Sequence, residues 1–157
     1  MQTTSTKLND LTVSKKWEDR VKAAQKGYDL NILINDKDER VREAVANFGY
    51  GLDTLINDEN VRVRAAVVKQ CYGLDKLIKD TNWLIRAAVA CQEYGLDILI
   101  NDECPDVREI VAEQGYGLNK LIDDEDSAVR NTVECYLKFN DYKSISDWEL
   151  KNPNKIY

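Results

Sequence analysis

The sequence contains no histidine. That excludes His-based triads, an imidazole general base and His-ligated metals. No GxxxxGKS/T, GxGxxG or GxSxG stretch occurs, so the common phosphate cradles and the nucleophile elbow are missing as well. Two prolines and seven glycines are too few for a fibrous or low-complexity chain. No apolar run reaches the roughly 20 residues that span a bilayer. Met1 to Ser14 are polar and lack the apolar core of a signal peptide, which gives a cytoplasmic location as the expectation. The four cysteines, Cys71, Cys91, Cys104 and Cys135, form no CxxC and stand 20, 13 and 31 residues apart. Those spacings match no zinc signature, and scattered reduced thiols are the expectation. The sequence therefore predicts no catalytic residue, no cofactor, no metal and no enzyme activity.

What remains is ample for folding. The 157 residues are 43% apolar and 32% charged, enough for one domain with a sizeable core. The net charge of −6 is uneven. Residues 1–26 carry six positive and three negative charges, whereas residues 101–126 carry nine acids against Arg108 and Lys120. This balance argues against direct grip on a phosphate backbone, which needs clustered Lys and Arg.

The dominant feature is a 22-residue self-similarity. Rows starting at Arg20, Arg42, Arg64, Arg86 and Arg108 align without insertion or deletion, as in REAVANFGYGLDTLINDENVRV followed by RAAVVKQCYGLDKLIKDTNWLI. Tyr28, Tyr50, Tyr72, Tyr94 and Tyr116 form one constant column. Leu30, Leu52, Leu74, Leu96 and Leu118 form a second, and Leu33, Leu55, Leu77, Leu99 and Leu121, each followed by Ile, a third. Asp36, Asp58, Asp80, Asp102 and Asp124 form a fourth, and the Arg column continues to Arg130. The ends degenerate: Leu8 and Leu11 fill the Leu columns and Ser14 the Asp position, while the chain after Val133 departs from the pattern.

Each row reads as two helices. The column Asp is expected to cap the longer one, which in the second row covers about Glu59 to Gln70 and turns Val63, Ala66, Val67 and Gln70 inward. Gly51, Gly73, Gly95 and Gly117 suit a left-handed helix stop, and Leu-Asp-x-Leu-Ile a short second helix. No period-2 alternation marks a strand. A unit this short cannot bury its own apolar face, so neighbours must bury it together. The expected architecture is an all-α, right-handed α-solenoid in a single domain, residues 1–157, with 1–19 as N-terminal cap, five repeats over 20–129, and 130–157 as C-terminal cap. Each Asp precedes an Arg by six residues, so each Arg can reach the Asp of its own or an adjacent repeat. The result would be a ladder of charge-assisted hydrogen bonds joining Arg20, Arg42, Arg64, Arg86, Arg108 and Arg130 to the five Asp residues.

The Asp and Arg spacing resembles that of HEAT repeats, although 22 residues is well short of their period of about 40–47. The rows are more similar to the leucine-rich repeat variant family, HEAT-like arrays of alternating longer and shorter helices with the pattern D-x-x-x-x-V-R-x-x-V-A followed by L-x-x-L. Asp58, Val63, Arg64, Val67, Leu74 and Leu77 match it in place, and the resemblance covers about residues 8–135. Gly-Tyr-Gly stands here where that family often has a proline turn. One of its members carries an iron–sulfur cluster on clustered N-terminal cysteines; this chain has no cysteine before Cys71, so the resemblance implies no cluster here.

Two columns vary most between rows: Glu39, Val61, Trp83, Pro105, Ser127, and Arg40, Arg62, Leu84, Asp106, Ala128. They place an apolar strip around Val61, Trp83 and Leu84 between charged neighbours, with Ala65, Val68, Ala87 and Ala90 along the same stripes, and make Val61, Arg62, Trp83, Leu84 and Ala87 the candidate partner-binding residues. Such a strip with a Trp anchor suits a protein partner; Trp83 packing over its own helix start is the alternative. The Tyr column reads either as a stacking platform or as filler of equivalent grooves with wet hydroxyls. Asp123, Asp124, Glu125 and Asp126 read either as a carboxylate or cation site or as an acidic turn entering a helix. Two functions follow as expectations. One is a scaffold or adaptor binding another protein on its longer helices, without a membrane. The other is an acidic mimic of nucleic acid, such as phages and mobile elements use against defence enzymes, presenting Asp102 to Asp126. The oligomeric state is not fixed by the sequence.

Overall fold

In a computed structural model of the chain, residues 11–157 are described. Leu8 and the start of the expected N-terminal cap lie outside them. The described residues hold twelve α-helices, one 3-10 turn and no strand. Longer and shorter helices alternate. The longer ones are α1 (Trp17–Gln25), α3 (Glu39–Asn47), α5 (Val61–Lys69), α7 (Trp83–Ala90), α9 (Pro105–Glu113) and α11 (Ser127–Phe139). Between them lie the four-residue helices α2 (Leu30–Leu33), α4 (Leu52–Leu55), α6 (Leu74–Leu77), α8 (Leu96–Leu99) and α10 (Leu118–Leu121). Helix α12 (Ile145–Lys151) and the 3-10 turn Pro153–Lys155 follow. The chain forms two compact units, residues 1–74 and 75–157, which divide within α6. No helix among the described residues is long and apolar enough to cross a membrane.

In the first unit α1 packs on α3 and α3 on α5, with α2 and α4 wedged against the longer helices. Val41, Val45, Val63 and Val67 are fully buried at these contacts, and Leu33 and Leu55 fill the floor beneath. In the second unit α7 packs on α9, α9 on α11 and α10 on α12. Ile85, Val89, Val107, Val111, Val129 and Val133 occupy the equivalent positions. Burying one Val or Leu contributes about 1.5–3 kcal/mol, so these stripes dominate the helix packing. Residues 134–157 depart from the repeat yet still build core. Trp148 of α12 is fully buried, with an indole N–H that has no partner. The Gly117 N–H donates to the Lys155 carbonyl at 2.7 Å, and the Lys120 ammonium lies 4.2 Å over the Tyr157 ring.

Three expectations need correction. Helix α5 spans Val61–Lys69 rather than Glu59 to Gln70, and Gln70 is exposed while Val68 is buried. The column Asp is not the helix cap. The caps are Asp38, Asn60, Asn82, Cys104 and Asp126, two residues later, and all but Cys104 accept an N–H from the first helical turn. The column Asp instead accepts the N–H of that cap residue, as Asp58 does from Asn60 at 2.8 Å. This turn fixes the chain just before the helix begins. Third, Gly51, Gly95 and Gly117 open the short helices instead of stopping the longer ones. At Gly95 the φ is +62°, and a Cβ would collide with Ile78 Cδ1. The Leu-Ile column thus packs onto the glycine of the next row. The longer helices stop one step earlier, at Gly27, Gly49, Cys71, Glu93, Gly115 and Asp141, all at positive φ.

Candidate functional site

The charged frame comes first, because it sets where the longer helices begin. In the first unit Arg20 spans Asp36 with both Nε and Nη2, at 2.5 and 2.9 Å, and Arg42 spans Asp58 at 2.6 and 2.9 Å. In the second unit Arg86 holds Asp102 at 2.6 and 2.8 Å and Arg108 holds Asp124 at 2.8 Å twice. The bidentate partner is therefore the Asp sixteen residues ahead. The Asp six residues behind offers only its backbone carbonyl, which accepts from Arg Nη1, as Asp36 O does from Arg42 at 2.7 Å. Arg64 donates to Asp58 O at 2.8 Å, and Asp80 accepts the Asn82 N–H and, through its carbonyl, Arg86. Ser14 takes the same backbone role for Arg20 at 2.8 Å. Arg130 keeps the carbonyl contacts to Asp124 and Glu125, but the residue sixteen ahead of it is Ser146, which has no carboxylate.

These pairs sit deep: the side chains of Arg86 and Asp102 are 9% and 6% exposed. Burial pushes the carboxyls of Asp36, Asp58, Asp102 and Asp124 up, but the bidentate arginine, the cap N–H and the arginine charge together hold each below the ordinary range. The hydrogen bonds to Asp36, Asp58, Asp102 and Asp124 push the partner arginines up in turn, against the opposing effect of burial. The frame holds its charges at any physiological pH, so it is architecture and offers no proton to chemistry.

The residues of the expected apolar strip fall on both units. Val61, half-buried, and Arg62, exposed, open α5 in the first. Trp83 and Leu84, 41% and 49% exposed, open α7 in the second. Ala87 is buried, as are Val68 and Ala90, so these three leave the strip. Helix α7 packs against both α8 and α9 and buries five of its eight residues, Ala87 among them. Only its first turn offers large apolar groups to solvent.

One arrangement escaped the sequence reading. Trp17 occupies the Trp83 column, and Arg40 lies in the column beside it. The Arg40 guanidinium stacks 3.6 Å from the Trp17 ring centre, while its Nε and Nη2 grip both carboxylate oxygens of Asp38 at 2.9 and 2.8 Å. A Trp recurring three rows apart was the signal that could have found it.

Tyr28, Tyr50, Tyr72 and Tyr94 are each about two-fifths exposed, and Tyr116 is half-buried. Of the late acidic run, Asp124 is bound to Arg108 and Asp126 caps α11 through the Ala128 N–H, whereas Asp123 and Glu125 are exposed. No group of three or more Cys, Asp or Glu among the described residues is placed to hold a metal ion. None of the four cysteines is in a disulfide. An open hollow of about 510 Å³ lies along α11, lined by Glu113, Thr132, Cys135, Tyr136, Phe139 and Asn140. No family model, no curated protein and no solved structure matches the chain.

Proposed function

We propose that this chain is a non-enzymatic interaction module that binds another protein on the first turns of its longer helices. The fold belonging to this reading is a right-handed α-solenoid of 22-residue helix pairs, of the leucine-rich repeat variant or HEAT-like kind, working in the cytoplasm. The observation that carries it is the pair Trp83 and Leu84, two large apolar side chains 41% and 49% exposed at the start of one helix. A Trp that leaves two-fifths of its surface in water at a helix start suits an anchor that a protein partner would desolvate. The Asp columns support this reading over an acidic mimic of nucleic acid. Asp102 and Asp124 spend their charge on Arg86 and Arg108, which reduces the field that the late acidic segment presents.

The test is affinity capture at low and high salt, with wild type and Trp83→Ala compared, melting temperatures being measured alongside. The interaction reading expects capture that survives high salt and is lost in Trp83→Ala without a lower melting temperature. Capture that vanishes with salt and ignores Trp83 would point to the acidic surface instead.

A further inference from the structure

Trp17 and Trp83 hold the same place in the chain. Each is the first residue of a longer helix, α1 and α7, and each helix packs on the longer helix that follows, α3 and α9. A contact between residues 23 apart is a recurring feature of such neighbours. Arg40 reaches Trp17, Gln70 Nε2 donates to Asn47 O at 3.2 Å, and Thr132 Oγ1 donates to Glu109 Oε1 at 2.8 Å. The residue 23 beyond Trp83 is Asp106, the second residue of α9 just as Arg40 is the second of α3.

The surroundings are inverted as well. Around Trp17 the cation Arg40 sits among Glu18, Asp38 and Glu39, with Asp38 gripping it. Those three positions become Leu84, Cys104 and Pro105 beside Trp83, and the position of the cation becomes a carboxylate. Asp106 is exposed and accepts only a weak bond, from Cys104 Sγ at 3.4 Å. The first site is complete: ring, guanidinium and carboxylate. By the same column offsets Trp83 is matched with a carboxylate, Asp106, with Leu84 and Pro105 in place of Glu18 and Glu39, and no Lys or Arg stands at the position of Arg40.

We infer that Trp83 and Asp106 form a receptor for an arginine side chain of a partner protein, which completes there the clamp that Arg40 completes on Trp17. This rests on the interaction reading above and names the chemistry of the partner. A guanidinium is weakly hydrated and planar, so it can stack on the indole while forming two parallel bonds to a carboxylate. An ammonium can do only the first of these well. The arginine stem would lie on Leu84 and Pro105, whose side chains have no hydrogen bonds to lose.

The test uses the full chain at physiological ionic strength with a hexa-arginine peptide, read by titration calorimetry in every variant and also by the Trp83 indole N–H resonance wherever Trp83 is present. Hexa-lysine and hexa-citrulline are the controls for planarity and charge. The peptide should shift the indole of wild type, and Trp83→Ala should abolish binding. Asp106→Asn should weaken it about ten-fold, the effect of losing one charge-assisted partner. Asp106→Arg is the sharper variant, because it installs the residue that covers Trp17. It should fold with an undiminished melting temperature and lose the peptide. Hexa-lysine should bind more weakly than hexa-arginine, and hexa-citrulline should not bind. Wild-type affinity in Asp106→Arg, or equal binding of arginine and lysine peptides that ignores Trp83→Ala, would overturn the receptor. If hexa-arginine leaves the indole unmoved while salt-tolerant capture of a protein is still lost in Trp83→Ala, the arginine identity falls and the interaction reading stands. If capture ignores Trp83 too, both fall.

Discussion

The first turns of α1 and α3 and those of α7 and α9 are the same scaffold with opposite chemistry. In both, a Trp opens one helix and a charged residue sits on the second position of the next. In the first unit that residue is Arg40, and the ring is covered from within. In the second it is Asp106, and the ring is left 41% exposed. The ladder beneath is indifferent to this change: Arg20 and Arg42 grip their carboxylates as Arg86 and Arg108 grip theirs. A repeated frame can therefore carry a satisfied site and, three rows later, an open one, because the ladder holds the helices whatever stands on their first turns.

The largest expected effect tests whether that frame really is common to both units. Arg86→Ala strands the Asp102 carboxylate, 6% exposed, without its partner, and should cost about 3–5 kcal/mol. Arg42→Ala should cost the same in the first unit, since Asp58 is equally buried. Chemical denaturation checks both. A cost near that of an ordinary surface change, about 0.5 kcal/mol, in either variant would mean that its unit does not depend on the ladder.

Acid should strike both units together. The native carboxyls of Asp36, Asp58, Asp102 and Asp124 lie below their ordinary value of 3.8. A depressed native pKa gives stability that is full above the unfolded value and is lost as pH falls through the native one. Stability should thus hold down to about pH 4 and decline below it. An acid titration followed by circular dichroism should show one transition; two resolved transitions would separate the units.

Much of this frame could be read from the sequence, and the missing parts have definable reasons. The Asp and Arg columns were visible as columns. Which Asp an Arg chooses was not, because the sixteen-residue reach depends on how far one longer helix stands from the next. The cap was misplaced by two residues although Asp38, Asn60, Asn82 and Asp126 also form a column of good cap residues. Two neighbouring columns of Asp and Asn compete for one role, and only the backbone φ and ψ decide. Ala87 was misread because a stripe was drawn from Trp83 on one helix alone, and the packing of α8 and α9 narrows the wet face to the first turn. Trp17 was missed because the comparison of rows began at Glu39.

The helix stops give a smaller contrast. Gly27 and Gly115 end α1 and α9 at positive φ, beneath the rings of Phe48 and Tyr136 respectively. Ala at either site would meet the ring and a left-handed backbone, and should cost about 1–3 kcal/mol. Glu93 holds the same stop after α7 at a φ of 55° and gains nothing visible for it. Glu93→Gly should therefore stabilise the chain by about 1 kcal/mol, less what glycine adds to the freedom of the unfolded chain. Thermal melts of the three variants rank them; a stabilising Gly27→Ala would show that the ring can yield.

The smallest effect on stability carries the most information about the two tryptophans. Arg40 is a surface group, and removing it should barely move the melting temperature. It should nevertheless uncover Trp17. In a Trp83→Phe background the readily quenched fluorescence belongs to Trp17, since Trp148 is fully buried. Arg40→Ala should raise acrylamide quenching of Trp17 towards that of Trp83 in the wild-type chain, while Arg40→Lys should lie between, because an ammonium covers the indole less completely than a guanidinium. If quenching stays unchanged in Arg40→Ala, the guanidinium does not cover the ring, and the first site cannot serve as the template for the second. If it rises, Arg40→Ala leaves the first clamp vacant, and the hexa-arginine peptide should then act on Trp17 in Arg40→Ala as it does on Trp83 in the wild-type chain. The freed Asp38 supplies the carboxylate there, and Glu18 and Glu39 add attraction for the guanidinium where Leu84 and Pro105 give Trp83 an apolar rim.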